Sequence, residues 1–350
     1  MPEDLWSERD VKPDAIEAAL RGMLRRRHAE DRRVVPARVL NLVVVADRAW
    51  KGEVSNRLDR VGRYHASRTI LCAVEEGRTT LDATAAMGYD EHRGGGVTAT
   101  REQVEIDMGP EHLARLDTIV DPVIVSELPT VLWCPHEHWE AIETLRRIVD
   151  VMLLDSDDNP EAGEGFDRAA ELLHSAYVVD LAWLRTTPWR ERLAASFDPP
   201  NRLPELGRLG AVTIRHQANS SASALLLAGW LASRLRWETR ALESANSAGL
   251  RGTAARGETT VEIALQSFEQ EAPGLAGVTV STDDERYSLS LDRARGGLCA
   301  RESEDGAERV WQVMGASRGE GGILGEGVRQ ALLRDPTYGP ALAAARRFIG

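Results

Sequence analysis

Apolar positions along the chain follow two rhythms, one of helices and one of strands buried on both faces. From Asp14 to Glu30, the residues Ile16, Ala19, Leu20, Met23 and Leu24 recur at helical spacing. Arg25, Arg26 and Arg27 follow where the peptide dipoles favour cations, so this stretch is predicted to be a helix. Residues 37–46, "ARVLNLVVVA", are too continuously apolar for a one-sided strand and read as a central strand covered on both faces. A polar helical stretch over 50–63 leads to a second apolar strand, "RTILCAVEE", at 68–76. Strand, helix, strand in this order predicts a βαβ unit with a parallel pair. Two alternating stretches, 78–87 and 96–108, are separated by a loop around Gly94–Gly96 and predict an antiparallel pair at a sheet edge. A buried strand over 128–136, a short helix over 139–147 and a strand over 149–156 complete the first half.

The acidic, glycine-containing run "DSDDNPEAGEG" (155–165) is the sharpest change of composition and reads as a linker or surface loop. Helical periodicity resumes over 166–197 and is interrupted at Thr187–Pro188; "DPPNRLPELG" then breaks regular structure. A strand is expected over 211–216 and a helix over 220–235. After a polar segment, 249–260, alternating stretches at 261–268, 278–282, 287–291 and 297–301 predict antiparallel strands, and helices are expected over 323–333 and 340–348. The expected fold class is α/β in two domains, 1–158 and 159–350, each a mixed β-sheet flanked by helices. The second is the richer in antiparallel strands and carries a helical connector over 166–198.

Composition narrows the function classes. With 350 residues, 43% of them hydrophobic and 28% charged, the chain can fill two ordinary cores. A net charge of −12 argues against general nucleic-acid binding, which needs a basic surface. Cys72, Cys134 and Cys299 are too few and scattered for a disulfide framework, which favours a reducing compartment. The most apolar helical run, Ser221–Ser233, falls short of the roughly 20 residues that cross a bilayer, and the charged first ten residues lack a signal core. The expectation is a cytoplasmic protein that binds no membrane.

Few residues suggest chemistry. Cys134, His136 and His138 in "WCPHEHW" are zinc-ligand types, but their spacing matches no standard zinc module, and no metal is expected. Asn219, Ser220, Ser221 and Ser223 open a helix just after Arg215 and His216. Free N–H groups, hydroxyls and a guanidinium there could hold an anion, or Asn219 or Ser220 could simply cap the helix. Ser67 and Arg68 at the start of the second strand are a similar case. No Walker sequence or G-x-G-x-x-G run follows a strand, and no nucleophile elbow, metalloprotease or kinase signature occurs. The densest segment is "DLAWLRTTPWRERLAASFD" (180–198). Thr187 before Pro188 predicts a capped helix start, with Trp183 and Trp189 on either side of the break, near Arg185, Arg190 and Arg192. Tryptophan and arginine are typical of interface hot spots, yet the same residues could form an intramolecular corner, with the arginines paired to Asp180 and Glu191. Both readings stand on the residues alone.

The segments "ARVLNLVVVA", "HASRTILCAV", "LPTVLWC", "DLAWLRTTPWRERLAASFD" and "SASALLLAGWLASRLRW", in this order, resemble the OpcA family, the glucose-6-phosphate dehydrogenase assembly proteins. The resemblance covers most of residues 35–240 and, more loosely, the β-rich tail. Its specific part is the pattern D-x-x-W-x-R-x-x-P-W-R, here Asp180, Trp183, Arg185, Pro188, Trp189 and Arg190. It implies a non-catalytic partner, without a cofactor of its own, that binds the dehydrogenase and promotes its assembly or active state in the oxidative pentose phosphate pathway. The motif residues would then be the contact face or the corner that shapes it. Two departures stand out: Cys134 where many relatives have a second tryptophan, and Ala66 in place of the proline of His-Pro-Ser-Arg. The rival reading is a sugar-phosphate-binding regulator or enzyme using Arg215, His216 and the Ser220 helix start.

Overall fold

The computed structural model describes residues 3–36, 38–62, 67–90, 98–135, 138–245, 249–314 and 320–350. They form two compact units. The first holds the chain through Leu154 together with Ser175–Val179 and Leu324–Leu333; the second holds Asp155–His174, Asp180–Ile323 and Arg334–Gly350. Each is a mixed sheet, of nine strands among the described residues, flanked by helices. The sequence places the division after residue 158; the structure divides after Leu154 and returns two short later segments to the first unit.

The strands of the first sheet are β1 (Glu3–Glu8), β2 (Val34–Pro36), β3 (Leu40–Asp47), β4 (Ser67–Val74), β5 (Asp82–Asp90), β6 (Thr98–Met108), β7 (Thr130–Trp133), β8 (Val151–Leu154) and β9 (Tyr177–Asp180). They run in the order β1-β5-β6-β4-β3-β7-β8-β9, with β2 paired to β6. β3 is parallel to both β4 and β7, β4 to β6, and β7 to β8. Every residue from Leu40 to Ala46 is buried, as a central strand requires. The two alternating stretches do pair antiparallel as β5 and β6, but neither is the edge. β6 also pairs with β4, and β1, a six-residue strand that the charged start of the chain concealed, pairs outside β5. Counting β3 as first, β6-β4-β3-β7-β8-β9 reads 3-2-1-4-5-6, the order of doubly wound dinucleotide-binding folds. The glycine-rich turn that usually announces this order in a sequence is missing after β3, so the order was not legible. The helices of this unit before Leu154 are α1 (Pro13–Glu30), α2 (Lys51–Gly62), α3 (Leu116–Val120) and α4 (Trp139–Leu145). α1 buries Ile16, Leu20 and Met23, the stripe its periodicity marked.

The second unit begins with α5 (Ala162–Leu172). After β9 come α6 (Leu181–Arg185), α7 (Thr187–Phe197) and α8 (Leu203–Leu206). The expected helical stretch over 166–197 therefore contains a strand, four residues long and too short to overturn the surrounding helical pattern. The sheet comprises β10 (Leu209–Gln217), β11 (Glu238–Thr239), β12 (Glu243–Ser244), β13 (Gly249–Arg256), β14 (Thr259–Phe268), β15 (Leu275–Thr282), β16 (Tyr287–Ala294), β17 (Gly297–Glu304) and β18 (Ala307–Met314). Its order is β11-β13-β14-β10-β15-β16-β17-β18, with β12 on β13. Only β10 and β14 pair in parallel among the described strands. β13 lies in the segment read as polar and carries too few apolar residues to show an alternation; β18 was not expected, because Val310 and Trp311 stand side by side and break its alternation. α9 (Ser221–Leu235) packs on β10 and β14 against the alternate positions Val212, Ile214, Val261, Ile263 and Leu265. α10 (Glu320–Gln330) belongs to the first unit from Leu324 onward, and α11 (Tyr338–Ile349) to the second. α11 crosses α9 at Gly229, where a Cβ would stand 2.3 Å from the Ala341 carbonyl oxygen.

Candidate functional site

Asp180 closes β9 and opens α6. Its carboxylate caps the helix by accepting from Ala182 N at 2.9 Å, and it also accepts from Ser156 N (3.1 Å), Ser156 Oγ (2.6 Å) and the Tyr338 hydroxyl (3.0 Å). α6 is a single turn ended by Thr186, whose hydroxyl donates to the Trp183 carbonyl at 2.7 Å. α7 starts at Thr187 with Pro188 in its first turn. The cap predicted at Thr187 is absent: the preceding residue, Thr186, is itself helical, and its side chain serves the helix before it. Arg190 bridges the break, donating to Thr186 Oγ1 at 2.9 Å and Thr187 Oγ1 at 3.0 Å. Its guanidinium carbon lies 3.5 Å from the Trp183 ring centroid, a cation–π stack. The Trp183 indole N–H donates to Asp335 at 2.9 Å. Trp183 is 2% exposed and Trp189 1%. The two indoles are interior, so neither offers its face to the surface.

Arg185 clamps Asp155 with two parallel bonds, 2.7 and 2.6 Å, and approaches Asp157 at 3.5 Å. Asp157 in turn accepts from Ser223 N at 3.0 Å and Ser223 Oγ at 2.5 Å. Three carboxylates thus converge, all nearly excluded from water, with one guanidinium between them. Burial, reinforced by the Asp155 charge, pushes Asp157 up to about 7, against the pull of Arg185 and the Ser223 donors. The same two causes push Asp180 up to about 6, although Ser156 and Tyr338 donate to it. The segment read as a linker or surface loop does begin where the two units divide, but the surface reading is corrected at its start: it delivers Asp155, Ser156 and Asp157 to the interior. Its composition is that of a loop, and only contacts with Arg185 and Ser223, far along the chain, give the carboxylates partners. The arginines do not pair with Asp180 and Glu191; Arg185 meets Asp155 and Asp157, and Arg190 lies 3.8 Å from Asp335.

The residues considered for anion binding lie elsewhere. At the start of α9 the Asp157 carboxylate holds Ser223, and Ser220 Oγ accepts from Gly274 N at 2.8 Å. The helix start does attract an anion, but it is the chain's own. Ser221 is the first residue of α9, and Asn219 N donates to the Gln217 side chain at 2.7 Å. Arg215 pairs with Asp292, while His216 donates from Nδ1 to the Gln217 carbonyl at 2.8 Å, its basicity lowered by burial. Arg68 is buried in the first unit, bonded to Glu102 at 2.7 Å, Glu17 at 2.5 Å and the Val123 carbonyl at 2.6 Å. Ser67 Oγ lies 3.3 Å from Thr69 Oγ1. Of the zinc-type residues, His136 lies outside the described residues. His138 stands 3.3 Å from Asp47, and burial raises the Cys134 thiol far above its usual range. Among the described residues no group of three histidine, cysteine or acidic side chains is arranged to hold a metal ion, and no helix is long and apolar enough to cross a membrane.

Residues 58–171 match the family model described as the glucose-6-phosphate dehydrogenase subunit N-terminal domain, and residues 176–342 match that of the C-terminal domain of the same subunit. The chain belongs to the OpcA family. Curated relatives provisionally named OxPP cycle protein OpcA agree. The one from Synechocystis sp. is 30% identical over 131 residues, covering 36% of this chain and 27% of the relative. The one from Synechococcus elongatus is 31% identical over 143 residues, covering 39% of this chain and 32% of the relative. The chain thus aligns with about a third or less of these relatives' length. Among solved structures, the NADP-bound 3-ketoreductase KijD10 from Actinomadura kijaniata shares the fold at a TM-score of 0.50 and 10% identity, over 89% of this chain and 95% of that one.

This likeness of fold raises the question of a dinucleotide. In the strand order above, a pyrophosphate would meet the turn after β3. That turn reads Asp47-Arg48-Ala49-Trp50, without a glycine. Arg48 and Lys51 are held by Asp107 at 2.7 and 2.9 Å, and Glu105 stands 2.8 Å from Lys51. A pyrophosphate there would face carboxylates and find no open backbone cradle. These residues do not fit the cofactor.

Proposed function

We propose that this chain is a non-catalytic partner of glucose-6-phosphate dehydrogenase that stabilises the enzyme's active state, with a role in the oxidative pentose phosphate pathway, NADPH supply and the cytoplasm. The observation that carries the reading is the match of both halves to models of a dehydrogenase subunit. The geometry supports it in a second way: the side chains of Asp180, Trp183, Arg185 and Arg190 are engaged inside the chain, with Tyr338, Asp335, Asp155 and Thr186 respectively, and Arg190 also stacks on Trp183. Together with Pro188 and Trp189 they act as interface-shaping residues, fixing the course of α6 and α7 so that a rigid outer surface is offered to the partner. A partner of this kind works through differential affinity: binding the competent state more tightly shifts the enzyme toward it by that difference.

The test is the rate and subunit mass of the dehydrogenase from the same organism, with and without saturating amounts of this chain, across substrate and NADP concentrations. A raised rate, a lowered substrate requirement or a larger assembly is the expected result. An enzyme unchanged in rate and mass overturns the proposal.

A further inference from the structure

The second unit carries a cleft of about 430 Å3 between α7, the loop that follows it and the β16–β18 end of the sheet. It lies within the size range of small-molecule sites. Along β18, Arg309 and Trp311 fall on the face that lines it, while Val310 between them points the other way. Arg192 enters from α7, Asn201 and Arg202 from the loop, and Glu302 from β17.

The charges in this cleft do not cancel. Arg202 is taken up by Glu304 at 2.7 and 2.9 Å and by Glu302 at 3.1 Å, and it lies over the Tyr287 ring at 4.8 Å. Glu302 also accepts from the Tyr287 hydroxyl at 3.1 Å, so its acidity is spent within the wall. Arg192 and Arg309 have no carboxylate partner among the described residues, and Arg309 lies 5.2 Å above the Trp311 ring. In a chain of net charge −12, two uncommitted guanidinium groups beside an indole are a local reversal of sign.

From this juxtaposition we infer that the cleft binds a phosphorylated monosaccharide. Guanidinium groups present planar N–H forks that match phosphate oxygens, which positions Arg192 and Arg309 to hold the dianion. The half-buried indole of Trp311 offers an apolar face to the C–H side of a sugar ring, and the Asn201 amide offers both a donor and an acceptor to its hydroxyls. This inference is independent of the dehydrogenase, since the site lies wholly within the second unit and is tested on the chain alone.

The experiment is titration of the purified chain with glucose 6-phosphate, followed by calorimetry and by tryptophan fluorescence. Glucose, inorganic phosphate and AMP are run in parallel. The expected result is saturable binding of glucose 6-phosphate that is at least tenfold tighter than that of the other three. Arg192→Ala and Arg309→Ala should each weaken it tenfold or more while leaving the melting temperature of the free chain nearly unchanged, because both side chains are exposed and make no ion pair among the described residues. Absence of saturable binding at millimolar glucose 6-phosphate overturns the inference. So does equal binding of inorganic phosphate, tighter binding of AMP, or undiminished affinity in both variants.

Discussion

Each unit buries an ionic cluster, and the two are balanced differently. In the first, Arg68 and Arg38 meet Glu102 and Glu17, with the exposed Arg21 also on Glu17, so every carboxylate has a guanidinium partner. In the second, among the described residues Arg185 alone pairs with Asp155 and Asp157, and Asp180 has no guanidinium partner. A balanced cluster settles its charges by pairing. An unbalanced one must settle them by neutral donors and by keeping a proton, and here Ser156, Ser223 and Tyr338 supply the donors. The segment from Asp180 to Arg190 is therefore bound up with an electrostatic problem inside one unit.

The difference can be broken most severely by removing the central cation of each cluster. Arg185→Met leaves Asp155 and Asp157 buried with no guanidinium and should cost about 3–5 kcal/mol of stability. Arg68→Met leaves Glu102 still paired with Arg38 and should cost roughly 2 kcal/mol, the loss of hydrogen bonds without an orphaned charge. Urea unfolding of both variants measures this directly. Equal losses would show that the two clusters are energetically alike. Trp189→Ala belongs with the larger effect: an indole 1% exposed leaves a cavity worth about 3–5 kcal/mol, so loss of stability should precede any loss of partner affinity.

How much of this was legible beforehand follows from where each signal resides. The runs that became β3, β4 and β7 are buried on both faces, and continuous apolar sequence reports that locally. α9 was equally plain, as an apolar stretch that carries no charge before Arg234 and buries most of its residues. β9 was hidden because four residues between helices carry no period of their own. The burial of Asp157 could not be read at all, since its partner Ser223 lies 66 residues away and its own neighbourhood is acidic and loop-like. The Trp/Arg motif was visible as a cluster, but whether it faced inward depended on Asp335 and Tyr338, more than 150 residues further on.

A change that touches no charge sharpens the comparison within the second unit. Gly229 lets α9 approach α11 closely, and a Cβ there would stand 2.3 Å from Ala341 O and 2.8 Å from Ala345 N. Gly229→Ala must push two backbones apart and should cost about 1–3 kcal/mol, less than loss of the central cation. Because Tyr338 begins α11 and donates to Asp180, this shift should also loosen the carboxylate cluster. Hydrogen exchange at the Ala182 amide, which Asp180 caps, is the measurement. Protection unchanged in a destabilised Gly229→Ala chain would separate helix packing from the cluster.

The aspartate cluster of the second unit should also make stability depend on pH. Asp157 and Asp180 are raised to about 7 and about 6, above their ordinary value of 3.8 in the unfolded chain. Between pH 4 and 7 the folded state therefore holds protons that the unfolded state has released. The associated stability is fully present below about pH 4 and is lost as pH rises through 6 and 7. The slope is at most about 1.4 kcal/mol per pH unit for each proton retained. Asp157→Asn should flatten the decline, because the amide does not titrate, its Oδ1 still accepts from Ser223 N and its Nδ2 can donate to Ser223 Oγ in place of the other bond. Stability followed by urea unfolding from pH 5 to pH 8 decides the matter: a decline identical in wild type and Asp157→Asn would mean that the buried aspartates hold no proton and that Arg185 alone suffices to neutralise them.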